Sequence, residues 1–220
     1  MKHVMIDLEM NSIEKENQEI RNFIKREIIE IGAVMMDDQY KIIKQLNCYI
    51  KPEYNQIVEK ITELTGISNE MVASSKSFKE AMEEFIEWIG DGEVIIYSWS
   101  EHDLNQMRKE CEFKQVVGDR VDYILNHWVD FQEEFGKLLG IEKKISLNYA
   151  VGAAELSFEG QEHNALCDAL NTAYIFQLSK DQEKFQRVMQ PILDLFRPKE
   201  TAFTIGEFLP KDLLMSLPEQ

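Results

Sequence analysis

The stretch Met5-Ile6-Asp7-Leu8-Glu9-Met10 decides how the rest of the chain is read. It sets two acids among apolar strand-formers. Alternate side chains of a β-strand share a face, so Asp7 and Glu9 project from the same side, about 7 Å apart. Carboxylates held like this repel each other unless a cation lies between them. An acidic pair alone is more often a solvated strand edge than a site, so the remainder of the chain has to supply its partners.

Working outward, periodicity predicts a first strand over residues 2–10 and a polar loop or marginal helix from Asn11 to Lys25. The nearly continuous apolar run Ile28–Met36 reads as a buried strand, and Lys41–Lys51 as a third, joined in a meander. Helical spacing covers Gln56–Thr65, with Gly66 as its C-cap. A clearer helix spans Phe78–Ile89, opened by a Ser77/Glu80 capping box. A buried strand over Glu93–Trp99 and a polar helix over Asp103–Cys111 follow. Arg120–Val129 fits helix or strand. Helices are expected at Phe131–Leu139, Ser146–Ala154 and Asn164–Leu178, with a turn at Phe158-Glu159-Gly160. A last amphipathic stripe runs through Phe185, Val188, Met189, Ile192, Leu193 and Phe196. Three strands, then helices alternating with strands, predict an α/β domain with a mixed sheet.

The 220 residues carry 44% hydrophobic and 29% charged side chains, which suits one soluble domain with a full core. No apolar run reaches the roughly 18 residues of a membrane span. Asp7 and Glu9 interrupt the only apolar stretch near the N-terminus, so no secretory leader is expected there. Cys48, Cys111 and Cys167 are odd in number and scattered, as in reduced thiols of a cytoplasmic protein. Neither Cys-x-x-Cys nor His-Glu-x-x-His occurs, which argues against zinc. The net charge of −16 argues against tight, sequence-independent duplex binding. It leaves room for an enzyme that meets one strand end through bound cations.

Two further stretches join the first. In Gly160-Gln161-Glu162-His163-Asn164-Ala165-Leu166-Cys167-Asp168-Ala169 a histidine precedes a helix and an acid follows in that helix. On one ideal helix the two would diverge by about 140°, so His163 belongs on the preceding loop. In Ser98-Trp99-Ser100-Glu101-His102-Asp103 an acid lies just past a buried strand. All three stretches fall at strand ends and helix starts, where ligands of open α/β sheets collect.

Together the three stretches resemble the DEDDh group of 3′→5′ exonucleases, the DnaQ-like branch of the ribonuclease H-like fold. Asp7-Leu8-Glu9 is similar to the group's first motif, Asp103 to the aspartate of its second, and His163-x-Ala165-x-x-Asp168-Ala169 to its third. Glu27–Val34 resembles the group's second strand and Leu64-Thr65-Gly66-Ile67 its turn. Tyr49-Ile50-Lys51-Pro52-Glu53 and the setting of Trp99 look closest to the enhanced-RNAi type of RNA exonuclease. Two positions depart: Met10 stands where threonine is common, and Cys167 replaces the usual acidic neighbour of Asp168. The resemblance covers about residues 2–178. It implies a ribonuclease H-like mixed five-stranded sheet flanked by helices, over residues 1–180, with a helical C-terminal extension over 181–220.

It also implies an activity. Asp7, Glu9, Asp103 and Asp168 would hold two Mg²⁺ or Mn²⁺ ions, since hard oxygen ligands suit these cations. His163 would act as general base, an imidazole being a base near neutral pH. The expected partner is the 3′ end of single-stranded RNA or DNA, trimmed to 5′-mononucleotides, with no membrane and with room for a homodimer through the C-terminal tail. The alternatives are a polymerase-associated proofreading exonuclease and a regulatory binding protein on the same fold. Residue by residue, Asp103 alone reads as a helix N-cap, His102 as an exposed decoy, His3 and His127 as structural, and Trp88 as core. Ile192-Leu193-Asp194-Leu195-Phe196 resembles a sliding-clamp docking peptide, but its spacing favours a helix packed on the domain or on a second subunit.

Overall fold

β1 (Lys2–Ser12) is the central strand of a five-stranded sheet ordered β3-β2-β1-β4-β5. After a one-turn helix α1 (Gln18–Arg21), β2 (Arg26–Met36) runs antiparallel to it, and β3 (Ile42–Tyr49) antiparallel to β2. Three helices follow: α2 (Glu59–Thr65), α3 (Asn69–Val72) and α4 (Phe78–Ile89). Then β4 (Val94–Ser98) returns parallel to β1, leading through α5 (Glu101–Phe113) and α6 (Asp119–Asn126) to the short parallel edge strand β5 (Trp128–Asp130). Helices α7 (Phe131–Leu139), α8 (Leu147–Ala153), α9 (Ala165–Ser179), α10 (Gln182–Val188) and α11 (Gln190–Phe196) complete the fold. This computed structural model describes residues 1–154, 156 and 160–196, so the expected turn at Phe158-Glu159 and the tail beyond Phe196 lie outside the described residues.

The two-residue period of β1 divides the core. Val4, Ile6 and Leu8 join Met82 and Phe85 of α4 and Met107 of α5 on one face of the sheet. Met5 faces the other way, with Val34 and Met36 of β2, onto Phe135 of α7 and Ala169, Ala173 and Phe176 of α9. Asp7 and Glu9 share the α9 face. There the apolar cover stops and the acids look into a cleft.

Local chemistry sets the element ends. Ser77 accepts from the Glu80 amide and Glu80 reaches back to Ser77, the capping box read from sequence. The helix expected from Gln56 begins only at Glu59. Asn11, buried at the end of β1, donates to the Gln56 carbonyl (3.1 Å) and accepts from the Val58 amide (3.0 Å), which holds the preceding residues extended. The ambiguous Arg120–Val129 segment is both, a helix to Asn126 and then a strand from Trp128. The single stripe expected over Phe185–Phe196 is broken at Met189 into two helices, because Pro191 has no N–H to donate and crowds the turn before it. Phe185, Met189 and Ile192 nonetheless bury themselves in the cluster that holds Phe135 and Phe176, with Leu193 against it, while Leu195 of the clamp-like stretch is 60% exposed. His3 is buried among Tyr40, Tyr97 and Phe176, and Trp88 stacks on Phe85, both as expected of packing residues.

Candidate active site

The C-terminal halves of β1 and the start of α5 meet at one end of the sheet. β4 stops at Ser98 while β1 continues to Ser12, so the backbone of β1 beyond Met5 lacks a partner on that side. Asp103 fills part of that gap: its carboxylate accepts from the Leu8 amide. Asp103 is therefore not the N-cap that its position alone suggests. Ser100 caps α5, accepting from the His102 amide, and Asp103 sits in the first turn, buried and turned toward β1.

His163 and Asp168 arrive with α9. Asn164 caps that helix by accepting from the Cys167 amide (3.1 Å), which leaves His163 one residue outside it, on the loop as the spacing requires. His163 has φ of +61°, a left-handed backbone that costs a non-glycine residue on the order of 1 kcal/mol. Its amide donates to Asp168 Oδ2 at 3.2 Å, so one carboxylate fixes both the turn and the histidine. Strain of this kind, held by a second site residue, is typical of a functional turn.

The four acids and His163 line one open cleft together with Met10, Trp99, His102, Arg26 and Lys60. Ligand atoms of Glu9, His163 and Asp168 lie within 4.8 Å of one another. Two unit charges at that spacing oppose each other by about 3 kcal/mol at an effective dielectric of about 20. Burial first, and then Asp168, Glu30 and Asp103, push the Glu9 carboxyl up to about 9. Burial also raises Asp7 well above the ordinary carboxylate range, helped by Asp103, Asp168, Glu9 and Glu30. Asp103 and Asp168 are raised likewise, mainly by burial. No ion pair to these acids occurs among the described residues. Clustered carboxylates with no cationic side chain paired to them among the described residues fit a divalent cation.

Two residues that position this site were not singled out from the sequence. Glu30 lies directly across from Glu9 in the β1–β2 ladder, where like charges are unfavourable. It is fully buried, and it binds the start of α9 instead: the Ala165 amide donates to it at 3.1 Å and Asn164 Nδ2 at 3.3 Å. An acid inside an otherwise apolar strand was the available signal. Gly32 is the other. A Cβ there would sit 2.0 Å from the Ala165 carbonyl carbon, so only glycine lets α9 rest on β2 at this height. Gly32→Ala is expected to destabilise the fold by about 3 kcal/mol, the upper end of overpacking costs, and to displace His163 and Asp168. Urea unfolding measures the first effect; a midpoint within error of wild type would contradict the packing described.

The mixed sheet with its helical layers is the ribonuclease H-like fold, a class of α/β domain. Within that class the chain belongs to the exonuclease family: the family model described as "Exonuclease" matches residues 4–176. The mouse protein "ERI1 exoribonuclease 2" is 28% identical over 207 residues, covering 82% of this chain and 30% of that protein. "DNA polymerase III subunit epsilon" of Aquifex aeolicus is 30% identical over 174 residues, covering 79% of this chain and 77% of the relative. Among solved structures, the nuclease domain of 3′hExo, a DEDDh family member bound to rAMP, superposes with a TM-score of 0.70 at 20% identity, over 82% of this chain and 92% of that one. The chain thus spans roughly a quarter to a third of the length of its exoribonuclease relatives. Among the described residues no helix is long and apolar enough to cross a membrane.

Proposed function

We propose that this chain is a metal-dependent 3′→5′ exonuclease that removes 5′-mononucleotides from the 3′ end of single-stranded RNA. The observation that carries the reading is the convergence of Asp7, Glu9, Asp103, Asp168 and His163 on one cleft. The four carboxylates are proposed to hold two Mg²⁺ or Mn²⁺ ions. Bound there, such ions supply positive charge to the phosphate and lower the pKa of a coordinated water. Asp103 and Asp168 are kept in place by amides of Leu8 and His163, so the chain has already oriented its ligands.

His163 is proposed as the general base. Its imidazole takes a proton as a water oxygen attacks the terminal phosphorus; the bond to the 3′-oxygen of the preceding nucleotide breaks, and that oxygen leaves with a proton from solvent. The exposed ring can pass its proton to bulk water between turnovers. Trp99 is buried and donates to the Ile145 carbonyl at 3.0 Å, so it walls the cleft and is not free to stack on a base from both sides.

RNA is preferred because relatives that match most of this chain are named exoribonucleases. The match to an epsilon subunit over 77% of its length favours polymerase-associated proofreading as the second reading. A binding protein without activity is disfavoured by the complete set of acids. The nuclease unit is taken as residues 1–180, with 181–220 as an extension in which α10 braces α7 and α9 and α11 packs on α8. A cytoplasmic location goes with this reading, since Cys48, Cys111 and Cys167 all carry free thiols. The test is incubation with 5′-end-labelled single-stranded RNA and DNA in Mg²⁺, Mn²⁺ or EDTA. A metal-dependent ladder descending from full length is expected on RNA; a ladder on DNA alone favours proofreading, and no cleavage of either overturns the assignment.

A further inference from the structure

A second groove opens beside the catalytic cleft, and its charge is opposite to that of the chain. Arg21, Lys25, Arg26 and Lys109 line it, with no aspartate or glutamate among its lining residues. The protein as a whole carries −16. No ion pair holds Lys25, Arg26 or Lys109 among the described residues, and all three are exposed. Arg21 donates to the Ile13 carbonyl, which anchors the connection between β1 and β2 while leaving its charge unneutralised. Four unneutralised cations gathered on a strongly acidic protein suit a polyanion.

The groove is continuous with the site. Met10, Arg26 and His102 line both cavities. One wall is a single face of α5, on which His102, Asn105, Gln106 and Lys109 follow the i, i+3, i+4, i+7 spacing. From His102 to Lys109 this wall extends about 10 Å, room for roughly three nucleotides of stacked strand. On the opposite wall Phe23 is 70% exposed, yet its ring is not loose: it stacks on Phe113 with centroids 5.5 Å apart and planes 27° from parallel. An exposed, braced aromatic beside a row of cations is the composition of a single-strand platform, where bases stack and phosphates are neutralised. Met10, the residue that departs from the family's common threonine, sits at the junction of the two cavities.

We infer that the groove between α5 and the Arg21–Arg26 segment holds the single-stranded polynucleotide on the 5′ side of the scissile phosphate, with Lys25, Arg26 and Lys109 on phosphates and Phe23 under a base. This rests on the exonuclease reading for its direction but not for its existence.

The test compares a 12-nucleotide single strand, as RNA and as DNA, with a dinucleotide too short to leave the cleft. Phe23→Ala and the double variant Lys25→Ala/Lys109→Ala are exposed changes expected to keep the wild-type melting temperature. Dinucleotide cleavage should stay within about twofold of wild type, while KM for the 12-mer rises about tenfold. The double variant should also lower the slope of log K against log salt by about 1.4, from two lost contacts at about 0.7 each. An unchanged KM and slope on the 12-mer, or an equal loss on the dinucleotide, would overturn the inference. A protein that cleaves neither substrate would fail the exonuclease reading alone. Fluorescence anisotropy of the labelled 12-mer in EDTA needs no turnover: weaker binding by the double variant supports the groove, and binding equal to wild type overturns it. A loss confined to RNA or to DNA assigns the groove to that polymer.

Discussion

Asp7→Asn is expected to abolish metal-dependent trimming and, in the same protein without metal, to raise the melting temperature. Both follow from one fact: Asp7 is the acid whose carboxyl is raised by the largest number of neighbours, burial first and then Asp103, Asp168, Glu9 and Glu30. On the proposed reading those carboxylates are ligands of a divalent cation, and losing one removes several kcal/mol of charge stabilisation. A loss of about 4 kcal/mol corresponds to about a thousandfold in rate. Without the cation, at a pH high enough to ionise them, they are like charges in a half-buried cleft, and replacing one by a neutral amide of the same shape relieves repulsion worth about 1–3 kcal/mol. For a chain of this size that is roughly 2–12 °C. The sign with pH follows. Carboxyls raised in the folded state bind protons more tightly there than in the unfolded chain, so the metal-free stability they contribute should be full below about pH 4.5 and fall from there toward pH 9. Differential scanning calorimetry with EDTA and with Mg²⁺ reads both halves. A metal-free Asp7→Asn protein that melts below wild type at pH 9 would contradict the electrostatic account of the cleft.

His163→Asn is the second large effect. Asparagine is among the few residues that tolerate a left-handed backbone, so the φ of +61° is kept while the base is removed. On the proposed role of His163, removing the general base costs typically 10²–10⁴-fold in rate, and kcat should fall by that amount. The ring is exposed and its fixed contact is made by the backbone amide, so the melting temperature should stay within about 2 °C of wild type. Retention of full kcat would remove His163 from the chemistry.

The two variants also mark where the sequence was readable and where it was not. Asp7 and Glu9 could be placed on one face because strand alternation is strict, and His163 could be placed off α9 because helical geometry forbids the alternative. Both follow from local rules. Glu30 and Gly32 could not be given roles, since each acts through residues 164–166 at the start of α9, more than 130 residues away, and nothing within β2 announces that partner. The start of α5 is ambiguous in sequence because Ser100 and Asp103 can both cap; what selects Ser100 is the Leu8 amide left open by the end of β4, which draws Asp103 inward. The late start of α2 has the same origin, for Asn11 reaches across from the end of β1 to hold its approach. The basic groove was invisible for a further reason. Arg21, Lys25 and Arg26 are separated from Lys109 by the whole of β2, β3 and α4, and against a net charge of −16 they do not form a run.

The measurement that tests the central claim most directly is the identity of the first product. RNA incubated with the protein and Mg²⁺ in ¹⁸O-labelled water is sampled early, and the released species are weighed by mass spectrometry. Hydrolysis at the terminal phosphodiester predicts 5′-mononucleotides carrying one ¹⁸O on the phosphate, arising from the 3′ end of the strand and absent with EDTA. Internal fragments, 3′-phosphorylated products, or release that is unaffected by EDTA would contradict it.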